Sequence, residues 1–205
     1  MANLTLSIGV SSYPNDCDNV PQLFRRAHSA MHEAKNSGRN TVRFFSKEMQ
    51  AKIKWRDQEI SKLQNAIADE ELVLFYQPKV QSDTLEIVGF EALARWPQKD
   101  GSIIFPDNFI PLAEETGLII PLGASLLKQA CIQLHEWQKL HPNLTVAVNV
   151  SAVQFNSELV NIVKQALTDT NIPPQSLELE ITESVLLNDV HSLETFNNLK
   201  KLGVK

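Results

Sequence analysis

The chain has 205 residues, 43% of them hydrophobic and 21% charged, with a formal net charge of -5 at pH 7. That apolar content builds a sizeable core, in one large domain or two small ones, and the interspersed cations leave no basic stripe of the kind that holds DNA or RNA by counterion release. The two cysteines, Cys17 and Cys131, have neither zinc-ligand spacing nor a disulfide framework, so a reducing cytoplasm is the expected compartment, and no apolar run reaches the length of a membrane span.

In chain order, Leu4, Leu6, Ile8 and Val10 alternate with polar or small residues, the period-two pattern of a half-buried strand. Val20, Leu23, Phe24, Ala27, Met31 and Ala34 then recur at helical spacing, Gly38 supplies a stop, and Thr41 to Phe45 read as a second short strand. This strand-helix-strand piece is too small to bury a core alone. His28 and His32 lie one helical turn apart, but the Glu of a metalloprotease motif is missing, which makes them two solvated helix histidines. From Ser46, an N-cap residue, Met49, Ile53, Ile60, Leu63 and Ile67 form a narrow apolar seam on a charged helix. Two readings fit it, a linker helix over 46–70 or a surface helix of one continuous domain, and both put a boundary at Phe45–Ser46.

From Leu72 the rhythm changes to strands over 72–80 and 85–93, helices over 106–115 and 121–141, and then strand, helix, strand and helix. Leu122, Leu126, Leu127, Ala130, Leu134 and Trp137 mark the buried face of the long helix. The alternation predicts an α/β fold with a parallel sheet or barrel.

Three of these strands end in oxygen-bearing side chains. Glu91 shares its side of one strand with Ile87 and Gly89, Asn149 shares its side of the next with Ala147, and Glu180 shares its side of the third with Glu178, while the opposite sides are mainly apolar. Parallel strands covered by helices would turn these groups toward the C-terminal mouth of a barrel, where such folds place their chemistry. Two carboxylates and an amide suit magnesium or manganese rather than zinc or copper, and metal-assisted hydrolysis of a phosphoester is the reaction such a set favours. Each residue also has a plainer reading. Leu177 to Thr182 in isolation reads as a solvent-facing antiparallel strand, Ser151 and Gln154 fit a capping box that starts the next helix, and Arg95 with Trp96 fits a surface stacking pair. The balance shifts because all three strands carry the same placement together.

The run Leu74-Phe75-Tyr76-Gln77-Pro78-Lys79, followed by Gly89-Phe90-Glu91-Ala92-Leu93-Ala94-Arg95-Trp96 and by Phe109-Ile110-Pro111-Leu112-Ala113-Glu114, resembles the EAL family of cyclic diguanylate (c-di-GMP) phosphodiesterases. Asn149-Val150-Ser151 and Leu179-Glu180-Ile181-Thr182-Glu183-Ser184 match its next two motifs in order, so the resemblance covers most of 71–205. It implies a (β/α)8 TIM-like barrel and metal-dependent hydrolysis of c-di-GMP to the linear dinucleotide with two Mg2+ or Mn2+ ions. By the same resemblance Glu91, Asn149 and Glu180 match metal ligands, Gln77, Leu93 and Arg95 match positions lining the substrate, and Glu183 matches a residue supporting a nearby loop. An EAL–EAL homodimer is a further implication.

Residues 1–45 resemble the tail of a GGDEF domain, the cyclase module for the same dinucleotide, through Thr5 to Val10 and Ala34-Lys35-Asn36-Ser37-Gly38-Arg39-Asn40. Lys35 and Arg39 match phosphate-contacting positions there, whereas His28 and His32 replace the family's Asp and Tyr. The family's Asp-Asp-Phe-Gly motif, its Lys and its last Glu would follow Lys205. The expectation is therefore an inactive, association-prone fragment of a GGDEF-EAL protein divided into a GGDEF remnant (1–45), a linker helix (46–70) and the first part of an EAL barrel (71–205), with membrane tethering left to other parts of a parent. The alternative is a fragment of a degenerate receptor that binds c-di-GMP or a protein partner without hydrolysis.

Overall fold

The computed structural model describes residues 5–181 and 190–205. The chain divides into two compact units, Met1–Ser61 and Lys62–Lys205. In the first, β1 (Ile8–Val10) and β2 (Val42–Phe44) pair in parallel, with Ile8 opposite Val42 and Val10 opposite Phe44. The helix α1 (Val20–Asn36) crosses between them, starting where the Asn19 side chain accepts the Gln22 N–H and burying Ala30 and Ala34. Gly9 is a packing requirement here, because a Cβ at that position would collide with the backbone of Ala27 and Met31. His28 and His32 are exposed, and the Asn36 side chain bonds the His32 ring at 3.2 Å.

The charged helix α2 (Lys47–Ala68) begins at Ser46, whose hydroxyl accepts the Met49 N–H. Its last turns carry Leu63 and Ala66, both fully enclosed in a core of the second unit. That unit continues with β3 (Val73–Val80), β4 (Ile87–Pro97), a two-residue β5 (Ile103–Ile104), α3 (Pro106–Thr116), α4 (Ile119–Gln138), β6 (Thr145–Asn149), α5 (Ser157–Thr170), β7 (Leu177–Glu180) and α6 (Val190–Leu202). The sheet order is β3-β4-β6-β7, with β5 on the end of β4.

The strands β4, β6 and β7 are parallel, as the alternation with helices predicts, but β3 runs antiparallel to β4. The reason is the length of the connection. Residues 81–86 contain no crossover helix and close as a tight turn through Gln81 N–H to Glu86 C=O and Leu85 N–H to Gln81 C=O, each 2.9 Å. Parallel pairing starts only where helices intervene. Beyond α6, Gly203 adopts φ +92° and Lys205 lies beside β7, donating to Leu177 C=O and accepting from Leu179 N–H. Among the described residues the strands form an open, mixed α/β sheet rather than a closed barrel.

Two cores pack side by side against one face of the sheet, the face opposite Gln77, Glu91 and Glu178. Val146, Leu177, Cys131, Leu134 and Val163 fill the space under α4, α5 and α6, and Leu63, Trp96, Phe109 and Leu122 fill a second space toward α2, α3 and α4. Trp96 is buried with its ring edge-on to Phe109 at 6.2 Å, so it does not form the surface pair with Arg95 that its sequence position suggested. The aromatic ring pulls inward because strand alternation gives neighbouring residues opposite faces. The helix expected over 121–141 starts at Ile119 and stops at Gln138, and the capping box of Ser151 and Gln154 is formed on a short 3₁₀ turn, Ala152–Gln154.

Candidate functional site

Sheet register brings the three oxygen-bearing side chains together, with Asn149 and Glu180 at their strand ends and Glu91 inside β4, which runs on to Pro97 rather than stopping at Leu93. Gln77 of β3 lies opposite Glu91 of β4, Glu91 opposite Ala147 of β6, and Ala147 opposite Glu178 of β7, while Asn149 lies opposite Glu180 in the next row. Strand alternation puts Gln77, Lys79, Glu91, Leu93, Arg95, Asn149, Glu178 and Glu180 on one face. Ala147 is the small residue in the middle of that row.

Asn149 Nδ2 donates to Glu91 Oε1 at 2.8 Å. A carboxylate only accepts, so the amide must offer its NH2 here, and this leaves Asn149 Oδ1 and the second Glu91 oxygen as lone-pair donors. The backbone ties the neighbouring strand to the same place, since Val150 N–H donates to Glu180 C=O at 2.8 Å.

Lys79 supplies the cation of this face. Its Nζ is 2.5 Å from Glu178 Oε2 and 3.9 Å from Glu180 Oε1. The Glu178 hydrogen bond, aided by the charges of Glu178, Glu180 and Glu91, raises the Lys79 pKa against its partial burial. Burial pushes the Glu178 carboxyl up, but the Lys79 hydrogen bond and charge, with Thr145 and Lys205, outweigh it and hold Glu178 below the ordinary range. Three carboxylates thus face one ammonium, an imbalance that a hard divalent cation would neutralise. Among the described residues no group of three His, Cys, Asp or Glu side chains converges on a point, so any ion here would depend on the amide as well as the carboxylates.

Near the C-terminal end of β4, the Arg95 guanidinium lies 5.6 Å from the Phe75 ring centre and 5.0 Å from that of Phe105, and one of its nitrogens bonds Ala94 C=O at 2.7 Å. Leu93 stands opposite Phe75 and is half-buried, while Gln77 is exposed. Glu183 lies outside the described residues. Lys35 in the last turn of α1 and Arg39 just after it, at φ +60°, are exposed in the first unit. Sequence reasoning passed over Lys79, Glu178 and Glu114. The first two share strand parity with Gln77 and Glu180 and were open to the same argument, whereas the contact Glu114 makes through Ser151 has no local signal.

Residues 60–205 match the model of the EAL domain. The chain belongs to the EAL domain family. Its residues 1–41 match the GGDEF domain of diguanylate cyclases. It is 39% identical to the bifunctional diguanylate cyclase/cyclic di-GMP phosphodiesterase MucR of Pseudomonas aeruginosa, over 98% of this chain and 30% of that protein. An uncharacterized signaling protein of Caulobacter vibrioides is 42% identical over 97% of this chain and 24% of its own length. The chain therefore spans 24% and 30% of the length of these two curated relatives. A solved structure of the MucR phosphodiesterase in complex with c-di-GMP is 40% identical with a TM-score of 0.68, covering 72% of this chain and 61% of that one. The EAL fold, TIM-barrel-like in architecture, is the frame of the mixed sheet described above.

Proposed function

We propose that the second unit carries part of the active site of a c-di-GMP phosphodiesterase in a second-messenger signalling protein. The observation that supports this best is the shared face of three neighbouring parallel strands, which carries Glu91 within β4 beside Asn149 and Glu180 at the ends of β6 and β7. Glu91, Asn149 and Glu180 would hold hard divalent ions, Mg2+ or Mn2+, of which the complete family site takes two. Bound there, such ions would supply Lewis acidity toward a phosphate oxygen and a lowered pKa for water.

The chain's own groups do the positioning. Asn149 and Glu91 orient each other through their hydrogen bond, Lys79 keeps Glu178 and Glu180 from repelling one another, and Arg95 offers a planar fork to a phosphate. Gln77 and Leu93 line the dinucleotide, and Glu183 supports a loop beside it. Residues 1–45 as a GGDEF remnant with Lys35 and Arg39 as vestigial phosphate contacts, 46–70 as linker helix, 71–205 as EAL portion, an EAL–EAL homodimer and a cytoplasmic setting complete the reading. No helix among the described residues is long and apolar enough to cross a membrane.

The test is equilibrium binding of c-di-GMP to the 205-residue chain with and without Mn2+. Metal-dependent binding that Glu91→Gln and Asn149→Ala each weaken about tenfold or more is expected. Binding that ignores both the metal and these substitutions would overturn the assignment. Turnover of c-di-GMP is a separate readout.

A further inference from the structure

Asn149 sits at the end of β6 with its back to a cavity of about 330 Å³ lined mainly by apolar groups, among them Ile110, Leu122, Gly123 and Leu159. In the segment after the strand, Val150 and Phe155 are buried in the core, and hydrogen bonds fix the residues between them. Ser151 Oγ donates to Glu114 Oε1 at 2.5 Å, a half-buried bond between residues 37 apart in sequence. The Ser151 N–H donates to Gln154 Oε1 at 3.1 Å, and Ser151 Oγ in turn accepts the Val153 N–H at 3.2 Å. Gln154 is itself buried against Gly123 of α4, where a Cβ would strike its amide.

We propose that Glu114 is a positioning residue for Asn149. It acts through Ser151, pinning the backbone two residues beyond the amide to α3, so that the Asn149 side chain meets Glu91 at a single orientation. A charged acceptor suits this role, since bonds to ionised groups are about twice as strong as neutral ones. The functional consequence rests on Asn149 being a ligand as proposed above, but the latch itself is a statement about this chain's geometry.

The experiment uses the 205-residue chain and the variants Glu114→Ala, Glu114→Gln, Ser151→Ala and the Ala/Ala double. It reads the Asn149 side-chain amide by NMR with 15N-asparagine labelling, the Mn2+ affinity, and the melting temperature. Glu114→Ala and Ser151→Ala are expected to shift the Asn149 amide resonances, speed their exchange with water and weaken Mn2+ binding about tenfold, as loss of an outer partner of a ligand does. Glu114→Gln retains an acceptor oxygen and should stay within about twofold of wild type. The double variant should be no worse than Ser151→Ala, which already removes the Glu114 bond together with the Val153 N–H cap.

An unmoved Asn149 amide in the two Ala variants, or additive effects of the two, would overturn the proposal, as would a lowered melting temperature with neither amide nor metal response. If the wild-type chain binds no Mn2+, the functional reading fails while the amide resonances still decide the latch. If Glu114→Ala does not fold, Ser151→Ala and Glu114→Gln carry the same contrast.

Discussion

Gly89→Ala is the substitution whose effect follows most directly from the sheet geometry. Gly89 stands between Lys79 of β3 and Thr145 of β6, two residues before Glu91. A Cβ there would meet the Thr145 hydroxyl and lie 2.6 Å from the Thr145 carbonyl oxygen. The hydroxyl can rotate away, but the carbonyl is part of the strand, so β6 must retreat from β4 by about 0.4 Å to reach even a 3.0 Å contact. Overpacking of this kind costs about 1–3 kcal/mol. The same retreat carries the 2.8 Å Asn149–Glu91 bond to about 3.2 Å, the long edge of the hydrogen-bond range. Urea unfolding followed by tryptophan fluorescence is the assay, with Trp137 as a reporter because its ring lies 4.4 Å from that of Phe90, the neighbour of Gly89. Adding Thr145→Ala should restore only part of the loss, since the carbonyl remains. A change below about 0.5 kcal/mol with an unaltered urea slope would refute the argument, as would complete rescue by Thr145→Ala.

Lys79→Met should destabilise the chain by about 1 kcal/mol at neutral pH, a modest figure because the Lys79 side chain is 37% exposed and its pair with Glu178 is screened. Glu178 is held below 4.5 and Lys79 above 10.5, so the pair's contribution is lost as pH falls through the folded Glu178 pKa and as pH rises through the folded Lys79 pKa. Denaturation midpoints across pH should accordingly show the Lys79→Met penalty shrinking below about pH 4; a penalty constant from pH 3 to 7 would contradict the pairing. Burial pushes the Cys131 thiol up to about 12, which leaves on the order of one thiolate in ten thousand at pH 8. Reaction of Cys131 with a thiol reagent should therefore track unfolding, and prompt labelling of the native chain at that position would count against the core as described. Leu134→Ala, at a fully enclosed site of α4, should cost about 2–5 kcal/mol by chemical denaturation, whereas Leu140→Ala, 81% exposed, should stay within about 0.5 kcal/mol.

Much of this organisation is local, and local organisation is legible in a sequence. Strand alternation assigns Glu91, Asn149 and Glu180 to the faces they share with Gly89, Ala147 and Glu178, because side-chain direction depends only on residue parity. Helical spacing marks the buried stripe of α4, and the Ser151–Gln154 capping box is a matter of three residues. What neighbours what is another matter. The antiparallel course of β3, the row that sets Gln77, Glu91, Ala147 and Glu178 side by side, and the pairing of Asn149 with Glu180 arise when strands dock, and many registers share one parity. The Lys79–Glu178 pair spans 99 residues and the Glu114–Ser151 bond 37. By itself the sequence determined the elements, their faces and the ordered motifs of an EAL domain. Tertiary structure alone decided that Asn149 bonds Glu91, that Lys79 balances the carboxylates and that Glu114 reaches the strand end, because contact across such separations is a property of the packed sheet and not of any segment within it.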